Sequence, residues 1–190
     1  MELGIISLQS KDVVRFRVFT LKDLMTIIDH FDQYPLLTQK RTDFEFFKQI
    51  ILMMGNKEHI TLEGFRGIVA IRCSLNKGLS EKLNQIFPDI VPVPRPVVQP
   101  STIFHSHWIA GFASGDGCFY VSLFKSPTKL GESVRLMFTI TQHSRDEQLM
   151  KSLVDYLGFG RYVARNGEHG ELLVTDIEAV TNKVIPPLEE

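Results

Sequence analysis

The chain has 190 residues, of which 44% are hydrophobic and 23% are charged, and its formal net charge is −1. This composition excludes a disordered chain, and no uninterrupted apolar run reaches the ~18–20 residues of a membrane span. Cys73 and Cys118 form neither a disulfide framework nor a C-x-x-C metal motif. The first ten residues show no secretory or transit signal. The sequence therefore predicts a globular, water-soluble chain with no membrane partner.

The first module, residues 1–87, begins with a strand pattern and continues with helices. Between Val13 and Phe19, Arg15 and Arg17 alternate with apolar residues, which predicts a half-buried strand with one cationic face. The helical stripe that follows Thr20 predicts a helix that Thr20 caps. Apolar stripes predict two further helices, at residues 43–54 and 61–75.

The stretch between the modules, residues 88–100, contains five of the nine prolines. Proline would break a helix or remove the hydrogen bonds of an inner strand, so an extended linker is predicted here. Residues 1–98 carry 13 basic and 11 acidic side chains, whereas residues 99–190 carry 8 and 11. Neither half is basic, so the overall charge argues against strong nonspecific binding to nucleic acid.

The second module, residues 101–190, mixes strands and helices. Gly111 and Gly115 lie four residues apart in a short apolar segment, and Ser144 and Glu147 have the spacing of a capping box before a helix that stops at Gly158. The predicted elements, in order, are a helix at 107–116, strands at 119–125 and 134–142, a helix ending at Gly158, strands at 161–165 and 172–176, and a helix start at 177–188.

The two ends of the chain show a common pattern at an offset of 156 residues. Leu21 then aligns with Ile177, and Leu24 aligns with Val180, so that a strand-to-helix transition falls at the same place in both. This match predicts an internal repeat. The chain is expected to begin late in one copy and to stop partway through the next.

The segment IAGFASGDG, Ile109–Gly117, resembles the signature of the LAGLIDADG homing endonucleases. The resemblance covers nearly the whole chain, and it is closest to the single-chain, two-repeat members found in fungal organelle introns. Other family-like segments are HFDQYPLLTQK (30–40), NKEHITLEGF (56–65), SLNKGLSEKL (74–83), Phe87–Pro88, Arg95–Pro96 and FTITQH (138–143).

The resemblance implies an α+β fold built from αββαββα repeats with saddle-shaped antiparallel sheets. Residues 1–87 would be the C-terminal part of a first repeat, and residues 101–190 the N-terminal part of a second, so the fold is expected to be incomplete at both ends. The family resemblance also implies a mitochondrial location, although no targeting signal is visible.

The same resemblance assigns roles to site residues. Gly111 and Gly115 would let two motif helices pack closely, and Asp116 would hold a divalent cation, Mg²⁺ if the protein is catalytic. Gln142 resembles the residue that orients water, and Lys40 the base that stabilises charge near the phosphate. The first motif helix, with the acidic partner of Asp116, is expected to precede residue 1. The chain alone is therefore predicted not to cleave, and a second protein chain or fragment is expected to cover the Gly111/Gly115 face.

Strand alternation predicts which side chains face nucleic acid. If Val121 and its neighbours Phe119 and Leu123 face the core, Phe124 faces the groove, as does Met137 on the next strand. Phe124 and Met137 cannot match base donors and acceptors, so sequence-specific DNA binding is expected to be weakened or exchanged for another partner. The predicted nucleic-acid contacts are Arg15, Arg17, Tyr120, Ser122, Lys125, Arg135 and Thr139.

Two functions remain open from the sequence. One is a homing endonuclease that cuts DNA when a partner supplies the missing motif. The other is a noncatalytic protein that binds structured RNA, in intron maturation or in an organellar ribonucleoprotein such as the mitochondrial ribosome, and that needs no cofactor.

Overall fold

The computed structural model describes residues 3–75, 78–102 and 104–185. The chain divides into two compact units, Met1–Val98 and Gln99–Glu190. Each unit combines helices with an antiparallel sheet, which confirms the α+β class. The proline-rich residues up to Val98 are part of the first unit. No helix in the described ranges is long and apolar enough to cross a membrane.

The first unit consists of a two-stranded hairpin followed by helices that pack on one another. Its core contains Ile28, Phe44 and Ile51, and the rings of Phe31 and Phe44 meet edge to face at 5.5 Å. Thr20 caps α1, as predicted, by accepting a hydrogen bond from the Asp23 amide at 3.1 Å. The elements are β1 (Ile5–Ser10), β2 (Val13–Arg17), α1 (Leu21–Gln33), α2 (Lys40–Gly55), α3 (Leu62–Ser74) and α4 (Glu81–Ile86).

Residues 91–98, here called the strap, are bound to α2 and α3 by side chains of those helices. Proline-rich backbone makes no ladder of its own, so its carbonyl groups need other donors. Thr42, one of these donors, is only 1% exposed. The bonds run from Ser74 Oγ to the Val93 carbonyl (2.5 Å), from Thr42 Oγ1 to the Pro96 carbonyl (2.8 Å) and from Gln39 Nε2 to the Val98 carbonyl (3.0 Å).

Arg95 is the charged anchor of the strap. Its Nη2 lies 2.9 Å from Asp43 Oδ1 on α2, and its Nη1 donates to the Ser74 carbonyl at the end of α3. The guanidinium also lies 5.9 Å from the centre of the Phe46 ring. Arg95 thus connects the strap with both helices.

Replacing Arg95 by alanine is expected to lower the free energy of unfolding of the first unit by about 2 kcal/mol, because the buried Asp43 carboxylate loses its hydrogen-bonded cation and keeps only Lys40 at 3.8 Å. Urea unfolding followed by circular dichroism measures this change. Arg66→Ala is the matched control, since Arg66 pairs at 2.5 Å with the exposed Asp89 and lowers the pKa of that carboxyl by its hydrogen bond. An equal loss of stability in both variants would contradict this account of Arg95.

The second unit packs helices on one face of a four-stranded antiparallel sheet, in the order β3-β4-β6-β5. The core lies between α6 and the inner strands, where Met150, Leu153 and Leu172 are fully buried. The elements are α5 (Ser106–Asp116), β3 (Gly117–Lys125), β4 (Glu132–His143), α6 (Glu147–Leu157), β5 (Arg161–Ala164), β6 (His169–Val174) and α7 (Ile177–Ala179), which continues as a π-helical turn at Val180–Val184.

The start of α6 differs from the predicted capping box. Residues Ser144–Asp146 form a single 3-10 turn, and the side chain of His143 accepts the hydrogen bond from the Arg145 amide at 3.1 Å. The Ser144 prediction was wrong because Ser144 lies in this turn, and α6 begins only at Glu147, after Asp146, with no side-chain cap. The helix stops as predicted at Gly158, whose φ of 71° lies in the left-handed region that glycine tolerates. The last three residues of the predicted helix start, 186–188, lie outside the described ranges.

The internal repeat is visible in strand register. Every cross-strand pair from Ile5↔Arg17 to Leu8↔Val14 in the first hairpin (β1–β2) recurs 156 residues later, from Arg161↔Leu173 to Ala164↔Gly170, in the second hairpin (β5–β6). The helix caps follow the same offset, since Thr20 accepts from the Asp23 amide and Asp176 from the Ala179 amide. The two hairpins therefore share one local design.

The surroundings of the two hairpins differ. Leu172 in β6 is fully buried, because β6 also pairs with β4 and α6 covers the sheet. Its counterpart at the 156-residue offset, Phe16 in β2, is 54% exposed. The apolar face of the first hairpin is thus uncovered within the described ranges.

Candidate functional site

Helix α5 lies against β3 and β4 through one face. Ala113 is buried on that face. The rings of Phe104, Trp108 and Phe112 form a continuous aromatic row, with centre-to-centre distances of 5.4 Å and 4.7 Å. The Phe104 ring also meets the Tyr156 ring of α6 edge to face at 5.2 Å, so the row connects the start of α5 with α6. The contacts of α5 with β3 and β4 hold the helix, with Asp116 at its C-terminal end, against the sheet.

Gly117 makes the passage from α5 to β3 direct. It is the first residue of β3, and a Cβ atom at this position would overlap the carbonyl group of Ala113 in the last turn of α5. Only glycine allows the strand to begin immediately after Asp116 without moving that turn. Gly117 was not among the predicted site residues, although its place in the GDG triplet beside Asp116 could have indicated its role.

The face of α5 that carries Gly111 and Gly115 is open. Both glycines are exposed, and apart from the backbone of α5 and the flanking residues, no heavy atom in the described part of the chain lies within 4 Å of a Cβ built on either one. Because two helices approach closely only where side chains are small, this face has the form needed to accept another helix.

Asp116 and Gln142 are brought together across 26 residues of sequence. Gly117 pairs with Ile140 at the start of the β3–β4 ladder, so Gln142, two residues farther along β4, reaches back to the end of α5. Gln142 Nε2 donates a hydrogen bond of 2.5 Å to Asp116 Oδ2. The carboxylate is exposed, and this bond fixes one of its two oxygens.

The donor atoms at this place fit a hard divalent cation. Mg²⁺ and Ca²⁺ prefer carboxylate and amide oxygens, which Asp116 and Gln142 provide. The C-terminal end of a helix carries a partial negative charge that also favours a cation. Among the described residues, no cluster of three or more His, Cys, Asp or Glu side chains could hold a metal on its own. Asp116 and Gln142 thus supply only part of a coordination shell.

Lys40, the third predicted catalytic residue, belongs to the first unit. It is the first residue of α2, and its Nζ lies 3.8 Å from Asp43 Oδ2. A cation at a helix N-terminus is unfavourable, and the nearby Asp43 carboxylate compensates it. The Lys40 side chain is 65% exposed, so its ammonium group is accessible from solvent.

Strands β3 and β4 form the long hairpin, whose register assigns side chains to its two faces. Ser122 lies opposite Arg135, and Tyr120 lies opposite Met137, so these residues share one face, here called the polar face. Cys118, Phe124, Thr139 and Thr141 follow by alternation and lie on the same face. The polar face is the one predicted to meet nucleic acid.

Two basic residues near this face are poor candidates for contacting a ligand. Lys125 lies opposite Glu132 on the other face of the long hairpin, together with Val121 and Leu123. Its predicted contact with nucleic acid therefore receives no support from the register. Arg165, beside the second hairpin, donates a hydrogen bond to Glu171, which raises the pKa of Arg165 and offsets its charge.

In the first hairpin, Arg15 and Arg17 lie on one face, as their alternation predicts. Both are exposed, and Arg15 lies opposite Ser7. Arg17 Nη2 donates to Ser7 Oγ at 2.9 Å, and its guanidinium lies 5.5 Å from the centre of the Phe19 ring. The hairpin thus presents two cations on a single surface.

Comparison with known proteins identifies the family of the chain. The family model described as LAGLIDADG endonuclease matches residues 1–51 and 109–190. "Probable intron-encoded endonuclease 3" of Neurospora crassa is 38% identical over 180 residues, which cover 94% of this chain and 34% of the relative. The chain thus spans about a third of the length of this curated relative.

Solved structures agree in fold as well as in sequence. The I-SmaMI LAGLIDADG homing endonuclease bound to cleaved DNA has a TM-score of 0.93 and 40% identity, over 98% of this chain and 63% of that one. I-SmaMI bound to an uncleaved DNA target in the presence of calcium ions gives the same score and identity, over 98% and 65%. With the matched family model and these neighbours, the chain belongs to the LAGLIDADG endonuclease family.

Proposed function

We propose that this chain contributes one catalytic half, and most of the DNA-reading surface, of an intron-encoded homing endonuclease. The observation that carries the proposal is the exposed carboxylate of Asp116, held by Gln142 at the end of a helix whose glycine face is open. The relative from Neurospora crassa, a probable intron-encoded endonuclease, supports this assignment. A mitochondrial location is part of the same proposal.

The chemistry needs a second acidic group beside Asp116. In this proposal another motif helix packs on Gly111 and Gly115 and brings its own carboxylate. This carboxylate and Asp116 would hold divalent cations, which would supply activation of water and stabilisation of the leaving oxygen of the phosphodiester. Gln142 keeps one oxygen of Asp116 in place and orients water with its free amide oxygen. Lys40 offsets negative charge that develops on the scissile phosphate.

The polar face of the long hairpin fits duplex DNA. The major groove of B-form DNA is about 12 Å wide and admits a two-stranded β-ribbon, whereas the major groove of A-form RNA is too narrow for side chains to read. Tyr120, Ser122, Arg135 and Thr139 lie on this face, and Arg15 and Arg17 lie on the first hairpin. Lys125 is left out because it lies on the other face.

A cleavage assay tests the proposal. A plasmid library that contains randomised 22-base-pair inserts is incubated with Mg²⁺ and either the chain alone or the chain together with a polypeptide that carries a second motif helix. We expect double-strand cleavage only in the second case, because the second motif helix brings the acidic counterpart of Asp116 in this proposal, and the described part of the chain contains no cluster of three or more metal-binding side chains. An absence of both cleavage and sequence-selective DNA binding, with the two polypeptides associated, would overturn the proposal.

Binding to structured RNA is the second candidate, and the apolar side chains on the polar face favour it. Phe124 and Met137 on this face offer no base-pairing groups, whereas the net charge of residues 99–190, which carry 8 basic and 11 acidic side chains, does not discriminate between DNA and RNA. RNA that copurifies with the chain and survives moderate salt would support this function, because nonspecific phosphate contacts are lost as salt rises. The polar face would then stack on unpaired bases instead of reading a duplex.

A further inference from the structure

Arg135 and Phe124 form a stacked pair on the polar face of the long hairpin. Arg135 lies opposite Ser122 in the ladder, which places Phe124 at the diagonal position on the neighbouring strand. The guanidinium carbon lies 4.6 Å from the centre of the Phe124 ring. This distance lies well inside the range at which a cation and an aromatic ring attract each other.

Burial supports the contact. Phe124 is 37% exposed although it lies near the tip of the hairpin, whereas Tyr120, on the same face of the same strand, is 53% exposed. The guanidinium of Arg135 lies over the Phe124 ring and covers part of it. The Phe124 ring therefore supports the guanidinium of Arg135.

Arg135 is also free to bind a ligand. Within the described ranges, no carboxylate lies at ion-pair distance from it, unlike Arg165, which donates to Glu171. Two other arginines in the described ranges lie over a ring, and both are farther from it: Arg17 at 5.5 Å, which already donates to Ser7, and Arg95 at 5.9 Å, which already donates to Asp43. Of these three, Arg135 combines the shortest ring distance with unoccupied donors.

Stacking affects how an arginine can recognise a base. A guanidinium that stacks on a ring by its flat face keeps its N–H edge available, and that edge matches the O6 and N7 acceptors of guanine. A long side chain otherwise loses rotamer freedom when it binds, and stacking removes part of that cost beforehand. The ring thus converts a mobile cation into an oriented donor pair.

We propose that Arg135 reads one guanine in the major groove and that Phe124 is its positioning residue. This inference rests on the proposed DNA-reading function. It reverses the sequence-based view of Phe124 as a sign of weakened DNA recognition. Phe124 touches no base; it acts by holding the guanidinium of Arg135.

The experiment uses the full chain and a library of duplexes with a randomised 22-base-pair region, selected by binding in Ca²⁺ at 100 mM salt. The consensus duplex and its single-base-pair variants are then titrated against the wild type, Arg135→Ala, Phe124→Leu and Phe124→Tyr. We expect Arg135→Ala to abolish a guanine preference of about tenfold at one position. Phe124→Leu should lower that preference at least threefold at the same position and leave the others unchanged.

Three controls separate positioning from a structural role. Phe124→Tyr keeps the ring and should retain the preference, and adding Phe124→Leu to Arg135→Ala should change nothing further at that position. Arg165→Ala removes an arginine that already donates a hydrogen bond to Glu171, so this substitution should leave the base preferences intact. An unchanged guanine preference in Phe124→Leu, or an equal loss of affinity for all sequences, would overturn the inference. If the wild type selects no sequence, the proposed DNA-reading function itself fails, and the role of Phe124 fails with it.

Discussion

Replacing Asp116 by asparagine is expected to reduce Mg²⁺-dependent cleavage about a thousandfold when the chain is combined with a second motif helix. Loss of a carboxylate that holds a catalytic cation removes several kcal/mol of transition-state stabilisation, and each 1.36 kcal/mol is a factor of ten in rate. Asparagine preserves the shape and can still accept the hydrogen bond from Gln142, so the end of α5 should stay in place. The rate of plasmid linearisation under single-turnover conditions measures the effect.

DNA affinity provides the internal check on this result. The affinity of Asp116→Asn for duplex DNA in Ca²⁺ should stay within about threefold of the wild type, because the substitution removes one charge and no base contact. Asp155→Asn, an exposed substitution on α6, is the matched control and should cleave at the wild-type rate. Wild-type cleavage by Asp116→Asn would remove Asp116 from the catalytic site.

Leucine at Gly111 or Gly115 is expected to have opposite effects on folding and on assembly. Both glycines lie on an exposed helix face with open space beside them, and leucine has a higher helix propensity than glycine, so the unfolding free energy of the second unit should rise by about 0.5–1 kcal/mol. The bulky side chain should meanwhile weaken association with a second motif helix at least a hundredfold, since close backbone approach is lost. Urea unfolding followed by the fluorescence of Trp108, the single tryptophan, measures stability, and titration calorimetry measures association.

Gly55, a helical glycine of the first unit, provides the control for these two substitutions. A Cβ at Gly55, at the end of α2, would make only an ordinary contact with Leu21. Gly55→Ala should therefore change stability through helix propensity alone and leave association with the motif helix untouched. Association of Gly111→Leu with wild-type affinity would show that this face is not the helix seam.

Local signals allowed much of the fold to be predicted. Thr20 and Gly158 act at helix ends as predicted, because capping depends on residues within one turn. The capping box at Ser144 was wrong because residues 144–146 form a 3-10 turn that His143 caps, so that Ser144 does not stand at the N-cap of α6. The strand at Ile5–Ser10 was not predicted, since its segment IISLQS shows no strict alternation.

Long-range contacts were the part that sequence patterns could not supply. The strap is held by hydrogen bonds that span 19 to 59 residues, and no periodicity encodes them. Only the family resemblance linked Asp116 with Gln142, because no local pattern connects residues that lie 26 positions apart. Phe124 was interpreted by its chemistry alone, and its neighbour Arg135 became visible only in the strand register.

The 156-residue offset relates two hairpins that share a backbone geometry and differ in charge. At equivalent positions the first hairpin carries Arg15 and Arg17, whereas the second carries Glu171 and Leu173. In the proposed function, unlike side chains on the same backbone cannot favour the same base pairs. The sequence preferred by one hairpin would therefore not be a copy of the sequence preferred by the other.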